Sequence, residues 1–153
     1  MFGLLVRVGI DRTYGEWNAP VDPVSKAFVY VPIPESRTKF RPGQKLTYSK
    51  YVLGALKKFG AKYNCDSSHR LPRELEHEAM HLDPDFRYLT YGDTNRKRHR
   101  RGKKIEDHWK KHGRGFLAFY AGMKPIKRCK DKLIYALIGF YETFDEDHGR
   151  KEF

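Results

Sequence analysis

His81, Asp83, Asp85 and Asp93 stand among Phe86, Tyr88 and Tyr91 in residues 81–93, HLDPDFRYLTYGD. These groups can hold a proton, an ion or a base edge, and they are set among aromatic rings. Three residues later comes RKRHRRGKK. There Arg96, Lys97, Arg98, Arg100, Arg101, Lys103 and Lys104 put seven cations into nine residues. Such a run grips phosphates without regard to sequence, and its strength falls with salt. An acidic and aromatic string beside it suggests a surface that reads something between the phosphates. The bland alternative is a solvated loop whose charge aids solubility.

Three motifs carry possible chemistry. His77, Glu78 and His81 match HExxH, which on a helix turns two imidazoles to one face as zinc ligands. The surroundings are poor for it: the segment is short and charged, and Pro84 follows closely. No metal is therefore expected, with His77 and His81 the ligands should one bind. His81, Asp83 and Asp85 alternate, and Pro84 favours an extended chain with both carboxylates on one side. That cluster could hydrogen-bond a base edge, hold a divalent ion or do acid–base work, and Asp-Pro-Asp is equally good turn chemistry. In DRTYGEWNAP, Trp17 and Asn18 fall together. Asn can pair with a base edge and Trp can stack on a base, or the Trp can plug the end of a core. No P-loop, GxSxG or dinucleotide glycine pattern occurs, and no cofactor is implied.

Composition narrows the partner. The net charge is +12 and the pI 9.7, which favours a polyanion. No apolar run is long enough to span a bilayer and no signal-peptide layout opens the chain, so no membrane partner is expected. Two cysteines, Cys65 and Cys129, make neither a disulfide framework nor a CxxC pair. The expected compartment is reducing: the cytoplasm, at the nucleoid if DNA is the partner. A chain of 153 residues fits one domain. The composition leaves oligomeric state open.

The elements that must position these groups read as follows. Residues 4–10 and 27–33 are strand-like, the second ending near Pro32. Residues 47–60 carry Tyr51, Val52, Ala55, Leu56 and Phe59 at helical spacing, with Thr47 or Ser49 at the start and Gly60 at the end. Pro72 opens a charged helix to about Met80, and residues 103–112 form another. GFLAFYAG (115–122) and LIYALIGFYETF (133–144) read as an antiparallel hairpin in the core. Residues 145–153 are a polar tail, so either a barrel closes just before it or the chain continues in a longer protein.

In order along the chain, GIDRTYGEWNAP, HLDPDF, YLTYGD and GFLAFYAGM resemble the third type of nucleotide-modification-associated domain. The resemblance spans residues 3–144 and implies one domain linked to DNA base modification. The last hairpin is similar to that of EVE and other PUA-like barrels, relatives of YTH domains, although Gly113-Arg114-Gly115 stands where Gly-Asp would be expected. The implied fold is α+β, a small PUA-like barrel with flanking helices. The implied function is recognition of a modified base flipped into an aromatic pocket. Trp17, Tyr91 and Tyr120 would stack on it, while Asn18, Asp83 or Asp85 would read its edge. The seven cations would hold phosphates, with DNA favoured over RNA. The alternative is an enzyme acting on a nucleotide or modified base through His81, Asp83 and Asp85, with a divalent metal as an option.

Overall fold

A computed structural model of the chain describes residues 2–10, 17–35, 45–87, 107–108, 110–113, 115–127 and 132–143. Four strands and two helices order it: β1 (Phe2–Arg7), β2 (Pro20–Val21), α1 (Tyr48–Tyr51), α2 (Leu53–Tyr63), β3 (Gly115–Pro125) and β4 (Ile134–Thr143). One-turn 3₁₀ helices cover Ser67–His69 and Arg73–Leu75.

Strand β3 is the hub. It runs parallel to β1 from Phe2↔Gly115 to Arg7↔Tyr120, and parallel to β2 at Pro20↔Lys124 and Val21↔Pro125. It pairs antiparallel with β4 from Gly115↔Thr143 to Met123↔Ile134, which is the expected hairpin. GFLAFYAGM is almost continuously apolar, and most of its residues are buried, with Phe116 the exposed exception. Leu117 and Phe119 pack with Val6, Val8 and Tyr141, and Ala121 and Met123 pack with Val21. The β3–β4 ladder is interrupted once: Phe119 pairs with Gly139 but Tyr120 pairs with Leu137, so Ile138 is an extra residue.

The helix expected over residues 47–60 is two helices. Val52 separates them, and α2 continues past Gly60 to Asn64, which adopts the left-handed conformation at φ 52° and bonds back to the Gly60 carbonyl. Thr47 does sit at the start, without a capping hydrogen bond from its side chain. Tyr48, Val52 and Leu56 form a stripe at four-residue spacing that buries against Ile10, Trp17 and Leu75. The Tyr48 hydroxyl donates to the Pro32 carbonyl at 2.8 Å. Asp107, His108 and residues 110–112 are helical, within the helix expected over 103–112.

Three expectations need correction. The helix from Pro72 to Met80 reduces to Arg73–Leu75, after which Ala79 bridges Thr47 and Met80 bridges Pro34. Met80 N–H donates to the Leu46 carbonyl at 2.8 Å and His81 N–H to the Ile33 carbonyl at 2.8 Å. These distant partners take the groups a helix would have used. Residues 27–33 are not a continuous strand: they hold an isolated bridge, Val21↔Phe28, and the Val31 carbonyl accepts from Ile10 N–H at 2.9 Å. Among the described residues the sheet is open rather than a closed barrel, since both β1 and β4 pair only with β3. Gly9, just after β1, takes a positive φ of +79°. A Cβ there would sit 3.0 Å from the Tyr30 ring. The α+β composition stands, and no helix among the described residues is long and apolar enough to cross a membrane.

A tight turn secures the end of β2. The Asp22 carboxylate, 3% exposed, accepts from Ser25 Oγ at 2.6 Å, Ser25 N–H at 3.1 Å and Val24 N–H at 3.4 Å. Lys127 Nζ lies 3.5 Å away. The Ser25 hydroxyl, then the two N–H groups and Lys127, outweigh burial and hold the Asp22 carboxyl down at about 2, below its ordinary 3.8. The charged form therefore stabilises the fold above about pH 4, and that contribution is lost as pH falls from about 4 through 2. Asp22→Asn is expected to be less stable than the parent at neutral pH, with the gap closing across this window. Parallel stability curves for the two proteins between pH 5 and 2, followed by circular dichroism, would remove Asp22 from the acid response.

Candidate functional site

HLDPDF is stapled across the β3–β4 ladder. The Tyr30 hydroxyl donates to the Asp83 carbonyl at 2.8 Å, and the Tyr141 hydroxyl donates to the Asp85 carbonyl at 3.0 Å. Asp83 N–H turns back to the His81 carbonyl at 2.9 Å. Asp85 Oδ1 accepts from Arg87 N–H at 2.8 Å. Pro84, between Asp83 and Asp85 in sequence, is buried, and a cis peptide bond joins it to Asp83 in a bend rather than the extended run expected. Phe86 then meets the Phe119 and Tyr141 rings edge-on, with centroids 5.9 and 5.5 Å away. Phe119 and Tyr141 are themselves 4.7 Å apart, which completes a three-ring cluster. Gly139 makes room for it: a Cβ there would stand 2.5 Å from Phe86 Cζ.

This arrangement fixes the backbone that carries Asp83 and Asp85. Burial pushes the Tyr141 hydroxyl well above its ordinary range, and the charges of Asp83 and Asp85 push it further. Tyr141 thus stays protonated at physiological pH and keeps its bond to the Asp85 carbonyl. The same effect puts both carboxylates within electrostatic reach of one hydroxyl. His81, half-buried, begins the segment.

The zinc geometry expected of HExxH is not formed. His77 is exposed in a turn and His81 lies beyond a β-bridge, so the two imidazoles share no helical face. No cluster of three or more metal-ligating side chains occurs among the described residues.

Trp17 and Asn18 are 8% and 4% exposed. Trp17 packs in the core with Tyr48, Val52 and Leu56, the position of a plug. Its indole Nε1 has no hydrogen-bond partner among the described residues. Tyr120 is half-buried, its ring 5.8 Å from that of Tyr135 and nearly perpendicular to it. Tyr120 and HLDPDF take opposite faces of the sheet, since residues alternate along β3 and Phe119 meets Phe86. Tyr91, Asp93 and the cations Arg96, Lys97, Arg98, Arg100, Arg101, Lys103 and Lys104 lie outside the described residues, as does Cys129. Tyr30, Tyr141 and Gly139 carry roles that the sequence does not announce. Of these only Gly139 leaves a signal, a glycine inside an apolar strand.

A cleft of about 690 Å³ lies apart from this site, lined by Leu53, Leu56, Lys57, His69, Arg70 and Arg73 among others. His69 is a strut there. Its Nδ1 is 3.0 Å from Asp66 Oδ1 and its Nε2 is 3.3 Å from the Pro125 carbonyl.

Two substitutions test the docking of HLDPDF. Tyr141→Phe removes one hydrogen bond and is expected to cost about 1 kcal/mol in denaturant unfolding. Gly139→Val places side-chain carbon where Phe86 sits and is expected to cost roughly 1–3 kcal/mol. Backbone hydrogen exchange over residues 82–87 should quicken in Gly139→Val. Unchanged exchange there would mean that Phe86 does not hold the segment down.

No curated protein and no solved structure is detectably similar to this chain. The strings that bracket the site, from β1 through HLDPDF to the β3–β4 hairpin, are covered by a single family model over residues 3–147. By that match the chain belongs to the family described as nucleotide modification associated domain 3.

Proposed function

We propose that this domain binds nucleic acid, DNA ahead of RNA, and recognises a modified base. Family membership supports the link to modified nucleotides. The observation that carries the reading is the locked HLDPDF segment, which presents two carboxylates on a rigid backbone a few residues ahead of the cationic run. A carboxylate accepts from the amino group of a base and repels stray phosphate. Preorganisation matters because loop ordering on binding would otherwise cost affinity. In this reading Asp83 and Asp85 form the reading edge, and Tyr91 stacks on the base. The seven cations supply grip, and the domain works at the nucleoid. Trp17 and Asn18 would reach a base only if the chain around them opened. The likeness to PUA-like readers rests on the β3–β4 hairpin alone.

The enzyme reading draws on the same segment: the charges of Asp83 and Asp85 act on the Tyr141 hydroxyl, and His81 stands at the head of the segment. Such a set could move a proton or hold a divalent ion. Metal analysis of the purified protein separates the readings. A stoichiometric ion that disappears in His81→Ala, together with turnover of modified DNA, would favour the enzyme.

The binding reading is tested on duplexes carrying different modified bases at fixed salt. Replacing Arg98, Arg100 and Arg101 together with Ala is expected to weaken all duplexes alike. It should also flatten the salt dependence by about 0.9 in log–log slope for each phosphate no longer neutralised. Asp83→Asn and Asp85→Asn are expected to change the preference among bases by roughly 1–3 kcal/mol while leaving that slope intact. If the triple change leaves both affinity and slope untouched, the phosphate-gripping run is wrongly assigned.

A further inference from the structure

The face of the sheet opposite HLDPDF has large apolar side chains and no cover among the described residues. Leu5 is 74% exposed, Tyr135 62%, Leu137 59% and Phe140 60%. They form one continuous surface. Arg7 pairs with Tyr120 and Tyr120 with Leu137, and in the next row Leu5 pairs with Ala118 and Ala118 with Phe140. Phe116 extends it, 38% exposed, with its ring lying over Gly3. Isolated exposed hydrophobics need no explanation, but a contiguous set on one sheet face marks an interaction site.

We infer that this face is a stacking platform for unpaired bases of a single-stranded nucleic acid. The inference rests on the nucleic-acid reading above and adds to it a second contact and a substrate class. Three observations favour this occupant. Tyr135 and Phe140 offer rings that are 62% and 60% exposed, with Tyr120 and Phe116 beside them on the same face. Base–ring stacking tolerates any sequence because every base has a π-face. Next, a cation sits within the platform. A Cβ at Gly122 would lie 3.4 Å from Arg7 Nη2 and 3.4 Å from the Tyr135 ring, so guanidinium and ring converge over that glycine. Lys124 follows on the same side of β3. Finally, charge selects the partner. At +12 the chain attracts a polyanion and repels a second copy of itself. A base inside a duplex has both faces taken by its neighbours, so only an unpaired base can lie on a sheet.

The test is fluorescence anisotropy of the full chain with labelled oligothymidine, and with its duplex on oligoadenine, at several salt concentrations. Oligothymidine is expected to bind more tightly than the duplex. Tyr135→Ala combined with Phe140→Ala should weaken it by on the order of tenfold per ring, with the salt slope unchanged. Tyr135→Leu combined with Phe140→Leu keeps apolar bulk and removes the rings, so it should lose most of the same affinity. Full retention by both pairs of variants overturns the platform. Duplex binding that depends on Arg98, Arg100 and Arg101, without a preference for the single strand, overturns the platform and leaves the nucleic-acid reading standing. Failure to bind either oligonucleotide overturns both. Self-association of the parent that both variants abolish, with oligothymidine binding unaffected, assigns the face to a second copy and overturns the platform.

Discussion

The pairing of β3 with three partners is the constraint on which this domain depends. Strand β3 needs partners along its edges to satisfy its backbone N–H and C=O groups, and each partner comes from a different distance along the chain. The antiparallel partner, β4, arrives by a local return. The parallel partner, β1, is the start of the chain, so everything between Arg7 and Gly115 is a crossover connection. That crossover contains β2, both helices and HLDPDF. Its contents are packed where they are because both of its ends are fixed to neighbouring strands. Such long-range parallel pairing is slow to form, since loop closure precedes its reward.

The two faces of the sheet have different fates. On one, Val6, Val8, Leu117, Phe119 and Tyr141 make a core, and Phe86 lies over the rings. HLDPDF is therefore structural cover for that face. Its apolar members, Pro84 and Phe86, hold it to the sheet, while its acidic members occupy the positions between. On the other face, Arg7, Tyr120, Tyr135 and Phe140 meet solvent. A domain of this size could shield both faces with helices, yet α1 and α2 pack on Ile10, Trp17 and Leu75 instead.

How far the sequence disclosed this depends on the range of the interactions. The stripe of Val52, Leu56 and Phe59 and the β3–β4 hairpin are set by periodicity and local chain return, and both were legible. The segment after Pro72 was not, because its helical pattern lost to backbone partners at Ile33, Pro34, Leu46 and Thr47, which no local pattern reveals. The acidic and aromatic make-up of HLDPDF was readable from residue types. Its anchors Tyr30 and Tyr141 were not, because each lies more than fifty residues away and looks like any strand aromatic. Trp17 was legible as special, but plug and stacker use the same side chain. The open face stayed hidden because continuous apolar runs do not reveal which side meets water.

One residue ties the two surfaces together. Side chains alternate along a strand, so Tyr135, Leu137 and Tyr141 of β4 would all share a face if the ladder were regular. The extra residue Ile138 breaks that parity. Above it, Tyr135 and Leu137 pair with Gly122 and Tyr120 and point to the open face. Below it, Tyr141 pairs with Leu117 and points into the core, where its hydroxyl reaches the Asp85 carbonyl. Gly139, next to the bulge, leaves the gap that Phe86 fills. The bulge thus assigns one tyrosine to hold the acidic segment and another to converge with Arg7. A ladder without it would force these tyrosines onto one side, and one of the two surfaces would lose its aromatic support.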